Sequence, residues 1–148
     1  MSPGPVVRLQ PAQLPQFEAL LAGNALPTGD CAEQAENFFG ILEGERLIAA
    51  GGLQPAGEYF LLRSVVVDPA CRGRGLAREL SEFLLGRAEA ANSPAVYLLT
   101  ESAAEYFTRL GFARIERERV PEAVRQTRQF SSLCPDSAHC LVLRLPRN

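Results

Sequence analysis

The segment best suited to chemistry is CRGRGLAREL, Cys71–Leu80, which lies between an apolar run and an amphipathic run. Gly73 and Gly75 carry no side chain, so a ligand can approach the backbone closely and the chain can adopt a positive φ. A helix that begins near Gly75 presents unpaired N–H groups and the positive end of its dipole. Three nearby side chains add positive charge: Arg72, Arg74 and Arg78. The pattern favours a phosphate or diphosphate site, with a charged loop before a surface helix as the alternative.

Two common phosphate-binding motifs do not fit this loop. A P-loop requires a lysine, and the chain has none, because all 15 of its Lys/Arg residues are arginines. The dinucleotide fingerprint GxGxxG requires a third glycine where this sequence has Arg78. Because arginine replaces lysine everywhere, the position of each arginine carries more information than its type.

Size and charge limit the classes of protein that fit. With 148 residues, 47% hydrophobic content and 22% charged residues, the chain fits one domain over 1–148. A net charge of −2 argues against a nucleic-acid partner. No apolar run approaches the roughly 18 residues that span a membrane, and the first residues lack the pattern of a secretion signal. We therefore expect a cytoplasmic protein without a membrane partner.

The cysteines do not form a metal-binding pattern. The chain has four cysteines and one histidine, His139, without CxxC or Cys/His spacing. Reduced thiols and no metal are the plain interpretation. A soft ion held by Cys134 and Cys140 across a turn is the alternative.

Hydrophobic periodicity predicts the elements around the loop. A short strand over 6–10, a helix over 12–23 and a hairpin of 38–43 with 46–54 precede a long strand over 58–68, which Pro69 ends. The helix after the loop carries four apolar residues on one side: Leu76, Leu80, Phe83 and Leu84.

The second half of the chain continues the alternation. Strands are predicted over 95–100, 112–120 and 139–145, with a helix over 102–110 that Gly111 ends. The whole pattern predicts an α/β fold with a mixed central sheet of about seven strands and helices on both faces.

Two segments at the right separation resemble motifs of the Gcn5-related N-acetyltransferase (GNAT) family. VVVDPACRGRGLARELSEFLL is similar to motif A, a strand followed by Asp-Pro, Arg/Gln-x-x-Gly-x-Gly/Ala and a helix. Arg72 begins that signature, Gly75 is its central glycine and Ala77 its last small residue. Downstream, AAEYFTRLGF is similar to motif B, the helix that ends in Leu-Gly-Phe. The resemblance implies the GNAT fold and acetyl-CoA as cosubstrate.

The family's cofactor-binding residues carry over onto two short stretches. The resemblance implies that loop amides hold the pyrophosphate of acetyl-CoA, through Arg72, Gly73, Arg74, Gly75, Leu76, Ala77 and Arg78. It also implies that the preceding strand bonds the pantetheine arm and polarises the thioester carbonyl through backbone groups of Val65, Val66 and Val67. A backbone N–H aimed at a carbonyl oxygen leaves no side-chain signature.

The proton-transfer residues depart from the family pattern. Many members protonate the departing thiolate with a tyrosine four residues before the glycine of Leu-Gly-Phe, and Phe107 holds that position here. Tyr106 is its neighbour, about 100° round the helix, and is the candidate acid, with packing as its other role. Glu101 is the candidate base, acting through water, and its other role is to cap the helix.

The closer resemblance is to amino-acid acetyltransferases. YLLTESAAEYFTRLGF is similar, without a gap, to the matching segment of bacterial N-acetylglutamate synthases. LLRSVVVDP, VPEAV and TRQFSSLCPDSA are similar to small acetyltransferases linked with arsenic resistance. Both branches imply an acceptor that carries a carboxylate beside its amine.

An acceptor carboxylate requires a cation, and Arg63 is the candidate because it lies inside an apolar strand. The alternative for Arg63 is an internal salt bridge with Glu58, Glu101 or Asp68. Thr100 ends the next strand and is expected at the acceptor. Arg128, with Arg125, either reaches the acceptor or is solvated, whereas His139 is expected to be a strand residue rather than a base.

The sequence therefore predicts an N-acetyltransferase that moves the acetyl group of acetyl-CoA to the amine of a small amino acid or analogue. The predicted reaction is direct attack in a ternary complex. The alternatives are acetylation of a protein N-terminus or amine drug, and an acyl-CoA-binding sensor without turnover. The oligomeric state stays open, with a homodimer as one option.

Overall fold

The computed structural model of the chain describes residues 2–134 and 137–147. Its regular elements alternate between strands and helices, and the bounds of the seven strands are β1 Val6–Arg8, β2 Phe38–Glu43, β3 Arg46–Ala56, β4 Tyr59–Val67, β5 Ala95–Thr100, β6 Ala113–Arg114 and β7 His139–Arg144. The α-helices are α1 Leu14–Gly23, α2 Leu76–Ala90, α3 Ala104–Arg109 and α4 Glu122–Arg125. A π-helix covers Gln129–Leu133.

The strands form one mixed sheet in the order β1-β2-β3-β4-β5-β7-β6. The β1–β2, β2–β3, β5–β7 and β6–β7 pairs are antiparallel. The β4–β5 pair is parallel, with Phe60 opposite Val96 and Leu61 opposite Tyr97. The predicted α/β class and seven-stranded mixed sheet are confirmed. The single domain and the placement of helices on both faces stay predictions.

The chain divides into two compact units. The first comprises the chain up to Leu53 together with Ser64–Gly86, and the second comprises Gln54–Arg63 with the chain from Arg87 onward. The boundary therefore crosses β4 between Arg63 and Ser64.

The first unit packs α1 against strands β2 and β3. Phe17 and Leu21, from the stripe that predicted α1, are fully buried, and the Phe17 ring lies 4.5 Å from that of Phe38. Their cluster also contains Leu9, Cys31, Leu47, Ala50 and Val66. Burial of this stripe holds α1 in place, because an isolated ten-residue helix is marginal in water.

The apolar face of α2 differs from the prediction at one position. Leu76, Leu80 and Leu84 are buried as predicted, and Leu85 is also fully buried, whereas Phe83 is 37% exposed. The Phe83 ring lies 5.6 Å from that of Phe39. Phe83 is therefore at the margin of the face rather than in the core.

The second unit packs β4, β5 and β7 against the segments that follow β6. Its core includes Leu61, Tyr97, Val124, Phe130 and Val142. The strand predicted over 112–120 is wrong beyond Arg114, because a 3-10 turn follows at Arg117–Arg119. That turn brings Val120 into the core at 2% exposure, and the Arg117 guanidinium lies 4.7 Å above the Phe130 ring. A longer strand would have alternated these charges across a packed face.

Gly40 and Gly86 differ in the space around them, so alanine at the two positions should change the stability of the first unit in opposite directions. A Cβ on Gly40 would lie 2.7 Å from Leu47 Cδ1, 2.8 Å from Leu9 Cδ2 and 2.9 Å from the Ala49 carbonyl oxygen. Gly86 is inside α2 with nothing within 4 Å of its added Cβ. We expect Gly40→Ala to lower the free energy of unfolding by about 1–3 kcal/mol and Gly86→Ala to raise it by about 0.5–1 kcal/mol.

Urea unfolding of the two variants measures whether the free energy of unfolding falls for Gly40→Ala and rises for Gly86→Ala. If Gly40→Ala were as stable as the original chain, the close packing of β2 between Leu9 and Leu47 would be wrong.

Asp68 fixes the chain where β4 ends and the glycine loop approaches. Its Oδ1 accepts the Ala70 N–H at 2.9 Å, its Oδ2 pairs with Arg46, and its own N–H donates to the Ile48 carbonyl oxygen at 2.8 Å. The bond from Ala70 first, and Arg46 second, lower the pKa of Asp68 below its usual value. The ionised carboxylate therefore stabilises the fold.

The pH dependence of stability follows from that direction. Because the folded pKa lies below the unfolded one, the Asp68 contribution is complete above the unfolded pKa, about 3.9, and disappears as the pH falls through the folded pKa. We expect Asp68→Ala to cost about 1 kcal/mol at pH 7 and nearly nothing at strongly acidic pH. Asp68→Asn keeps an acceptor for Ala70 and should cost less. Urea unfolding across pH measures both, and a pH-independent cost of Asp68→Ala would contradict the assignment.

Candidate active site

The glycine loop of the first unit is held between two buried residues. Cys71 is 2% exposed and Leu76 is 4% exposed, whereas the four residues between them are exposed. Cys71 N–H donates to the Asp68 carbonyl oxygen at 2.8 Å, and Glu79 N–H donates to that of Gly75 at 3.0 Å. The loop is thus fixed at both ends, and α2 begins directly after it at Leu76.

Both glycines of the loop are in the conformation that the sequence predicts. Gly73 has φ +83° and Gly75 has φ +76°, in the left-handed region that favours glycine. A Cβ added at either position meets nothing within 4 Å. The space beside both backbones is therefore open, and the amides of a helix start are donors suited to an anion.

Two arginines of the loop have partners in the same unit. Arg72 Nη2 donates to Asn24 Oδ1 at 2.6 Å, and Arg74 Nη1 pairs with Glu43 Oε2 at 3.1 Å. Arg78 is exposed in the first turn of α2, where Ala77 is half-buried. The positive charge predicted around the loop is therefore present, and Arg72 and Arg74 are anchored. Binding of acetyl-CoA by these particular residues stays a prediction.

The end of β4 leads directly to the loop. Val66 is 4% exposed and belongs to the core cluster of the first unit, whereas Val65 and Val67 are half-buried. Val65 Cγ2 would lie 3.2 Å from a Cβ on Gly51, which shows how closely the two backbones approach. Backbone contacts from these valines to pantetheine stay a prediction.

Ser64 interrupts the regular geometry of β4. Its φ of 58° lies in the left-handed region, which costs a non-glycine residue roughly 1–2 kcal/mol. The strand changes there from continuous burial to alternating burial. Strained backbone in the interior of a strand is a feature of functional sites and bulges.

Arg63, in the second unit, is buried beside a neutral partner. It is 4% exposed, and its Nη1 donates to Oε1 of Gln54 at 2.9 Å, where Gln54 is 6% exposed. Asp68, one of the acids predicted as a partner, bonds to Arg46 and Ala70 instead. The amide of Gln54 satisfies a donor of Arg63 without adding negative charge.

Thr100 and Glu101 lie where β5 ends and the chain turns into α3. Thr100 is half-buried, and its Oγ1 accepts the Ala103 N–H at 2.9 Å. This bond satisfies one of the first N–H groups at the helix start. The residue that performs this cap-like role is thus Thr100, whereas Glu101 is exposed.

Of the two aromatic residues in motif B, Phe107 is buried and Tyr106 is half-buried. Phe107 is 7% exposed and its ring lies 5.9 Å from that of Phe112. Tyr106 is half-buried with its ring edge-on to Phe107 at 5.2 Å. Phe107 therefore packs in the core where many relatives have the acid, and the catalytic role of Tyr106 stays a prediction.

The other polar candidates of the second unit are all exposed: Arg125, Arg128 and His139. His139 is an exposed strand residue opposite Thr100 in the β5–β7 ladder, and Arg114 Nη1 donates to its Nδ1 at 2.8 Å. Because an arginine can only donate, Nδ1 of His139 is the acceptor in this contact.

The cysteines show no arrangement for a soft ion within residues 2–134 and 137–147. Cys134 Sγ donates to Gln129 Oε1 at 3.3 Å. Burial raises the pKa of Cys140, which disfavours the thiolate that a metal requires. In the described ranges no group of three His, Cys, Asp or Glu side chains could hold a metal ion, and no helix is long and apolar enough to span a membrane.

The sequence pattern does not identify three side chains that bond to candidate arginines: Gln54, Asn24 and Glu43. Each bonds an arginine that the sequence analysis names as a candidate. Gln54 had a signal, because it is the only amide in the apolar strand β3. Asn24 and Glu43 follow α1 and end β2, and their pairing depends on tertiary contacts that a linear pattern does not contain.

The sequence matches a family model over most of its length. The model, described as Acetyltransferase (GNAT) family, matches residues 8–112. This range includes α1, the glycine loop and the motif B helix.

Solved structures give the same fold. N-acetylglutamate synthase from Neisseria gonorrhoeae, complexed with coenzyme A and N-acetyl-glutamate, matches with a TM-score of 0.84 at 16% identity, over 99% of this chain and 36% of that chain. Rv2747 from Mycobacterium tuberculosis, in complex with CoA and NLQ, matches with a TM-score of 0.81 at 22% identity, over 97% and 100%. The ribosomal-protein-S18-alanine N-acetyltransferase from Escherichia coli matches with a TM-score of 0.75 at 18% identity, over 99% and 96%.

The chain spans about a third of the gonococcal synthase but nearly the full length of the other two proteins. The predicted activity, acetyl-CoA-dependent N-acetyl transfer, is confirmed at the level of the family. The chain therefore belongs to the acetyltransferase (GNAT) family.

Proposed function

We propose that the chain acetylates the amine of a small amino acid or amino-acid analogue. Acetyl-CoA supplies the acetyl group, and the amine attacks it directly in a ternary complex. The diphosphate binds the amides and arginines of residues 72–78, and the acceptor carboxylate binds Arg63. We place this reaction in the cytoplasm.

The observation that carries the proposal is a guanidinium in the interior of β4, since Arg63 is 4% exposed. Removing a guanidinium from water costs several kcal/mol unless other groups compensate. Gln54 accepts one N–H of Arg63 at 2.9 Å. A guanidinium has five N–H donors in a planar fork and can serve several acceptors at once. A carboxylate ligand on the same side chain is compatible with the bond to Gln54.

The position of Arg63 along β4 strengthens this interpretation. Arg63 precedes Val65 by two residues, with the strained Ser64 between them. In the family, the backbone at the position of Val65 to Val67 contacts the acyl donor. An acceptor carboxylate at Arg63 would therefore be bound by the strand that also contacts the thioester.

Known neighbours support an amino-acid acceptor without deciding it. The gonococcal synthase binds N-acetyl-glutamate in one structure and L-arginine in another. The Escherichia coli neighbour acts on the alanine of a ribosomal protein, which keeps protein N-termini as the second candidate function. An amino-acid acceptor fits the buried cation better, because a peptide's first residue lacks the free carboxylate that Arg63 would bind.

The proton roles are proposed for residues of α3 and its start. Glu101 is exposed and can accept the ammonium proton of the acceptor through water. Tyr106 supplies a hydroxyl beside the buried Phe107 and is the proposed donor to the leaving sulfur. Thr100 and Arg128 contribute polar contacts to the acceptor.

Turnover with a panel of acceptors tests the proposed function. We expect release of free CoA thiol with one or more amino acids or their arsenical or phosphinic analogues. Polyamines and a peptide with N-terminal alanine should give at least about tenfold lower kcat/KM, because they lack the carboxylate that a charge-assisted bond requires.

The same panel separates the alternatives. Faster turnover of the peptide would transfer the proposal to protein N-termini. Binding of CoA without thiol release from any amine would identify an acyl-CoA sensor and contradict an enzymatic role.

Arg63 is expected to affect the acceptor and not the donor. We predict that Arg63→Ala raises the acceptor KM by about 10–100-fold, the loss of one charge-assisted pair, and changes the acetyl-CoA KM by less than about twofold. Steady-state kinetics with each substrate varied in turn measures the split.

Two controls separate recognition from folding. Arg63→Met keeps much of the side-chain volume and should give the same KM split, while Arg87→Ala removes an exposed arginine of α2 and should leave both KM values unchanged. Equal changes in the two KM values of Arg63→Met, with an unchanged melting temperature, would remove Arg63 from the acceptor site.

A further inference from the structure

A concave surface lies in the second unit, among residues that the proposed reaction does not use. The groove has a volume of about 690 Å³. It is lined by the end of α3, by β6 and the residues after it, and by the end of β7 and the chain beyond. We call this surface the β6 groove; its lining residues are Leu110, Gly111, Ala113, Arg114, Ile115, Glu116, Arg119, Val142, Leu143, Arg144, Pro146 and Arg147.

The groove is positively charged in a chain that is negative overall. Four arginines line it against one acid, Glu116, whereas the net charge of the whole chain is −2. Arg147 is paired with Glu89 at 2.7 Å, and Arg114 Nη1 bonds to Nδ1 of His139. Among the described residues, neither Arg119 nor Arg144 has a carboxylate within 4 Å. The local excess of cationic donors is thus carried by side chains that neighbouring acids do not neutralise.

The groove also has an apolar floor. Leu143 and Val142 come from β7, Ile115 follows β6, and Leu110 and Pro146 complete the surface. Its backbone is well defined, because Ala113 and Arg114 pair with Val142 and Leu141 and Ile115 N–H donates to the Cys140 carbonyl oxygen at 3.0 Å. A fixed apolar floor with a cationic rim suits a ligand that has an apolar body and an anionic end.

We propose that the β6 groove binds a small organic anion that combines a phosphate or carboxylate with an aromatic or aliphatic portion. Arg119 and Arg144 bind the anionic group, with Arg114 at the rim, and the side chains of Ile115 and Leu143 contact the apolar portion. The volume lies within the range of about 300–1,000 Å³ that is usual for small-molecule sites. The site shares no residue with the glycine loop or with the acceptor residues, so it does not depend on the proposed acceptor.

Phenyl phosphate is a suitable probe, and titration with NMR detection locates it. The protein is labelled with ¹⁵N and saturated with coenzyme A, so that residues 72–78 do not compete for the phosphate. We expect progressive shifts of the backbone amides of residues 113–116 and 142–145. Inorganic phosphate and phenol, which each supply half of the probe, should bind at least about tenfold more weakly, because each lacks one of the two contributions.

Matched variants identify the residues responsible. Arg119→Gln and Arg144→Gln should each raise the Kd of phenyl phosphate by about three- to tenfold, as expected for one exposed charge-assisted contact. Arg125→Gln, an exposed arginine outside the groove, should leave it unchanged. Unchanged amide positions outside the groove in the spectra of all three variants provide a check that the fold is intact.

Three results would overturn the proposal. The first is that phenyl phosphate and inorganic phosphate bind equally, which would leave the apolar floor without a role. The second is that Arg125→Gln weakens binding as much as Arg119→Gln. The third is that the amides of the groove do not shift at up to about 20 mM phenyl phosphate, a concentration well beyond the millimolar Kd of a weak complex. This result would overturn the proposal also where sedimentation shows that a second copy of the chain covers the groove.

Discussion

The glycine loop depends on an exposed backbone whose two ends are held fixed. Exposed amides at a helix start attract anions only when they keep a common direction. Here burial of Cys71 and Leu76 fixes the ends, and the left-handed φ values of Gly73 and Gly75 turn the exposed chain between them. A side chain at either glycine would be strained and would occupy the open space beside the backbone. The rest of the motif, including Asp68 with its bonds to Ala70 and Arg46, stabilises this geometry.

The arginines show why position matters more than residue type in this chain. Arg46 and Arg74 are exposed and pair with acids, and such surface pairs contribute little to stability. Arg63 has the opposite surroundings, since it is buried and bonds to a neutral amide. Arg63 is therefore a guanidinium in the interior of a strand, with the Gln54 amide as one of its acceptors. Recognition of an acceptor carboxylate is the role that we propose for it.

The fold was predictable from local patterns wherever burial follows the period of the element. β2 and β5 have the predicted bounds, and the stripe of α1 is buried through Phe17 and Leu21. The strand after Phe112 was overextended, because the alternation of Ile115 with charged residues is also satisfied by a turn that buries Val120. Phe83 was placed in the core, although periodicity alone does not show where the apolar face of α2 ends. Partners such as Gln54 depend on which strands lie side by side.

The proposed donor part of the candidate site is therefore easier to predict from a sequence than the proposed acceptor part. The proposed donor site would use glycines, a helix start and strand amides, which form a continuous local pattern in the sequence. The proposed acceptor site would use single side chains on different elements, such as Arg63 on β4 and Thr100 at the end of β5. A motif can consequently identify the donor, while the acceptor must be argued from burial and charge at individual positions. For Arg63 that argument is its 4% exposure in the interior of β4, with the Gln54 amide as one acceptor of its N–H groups.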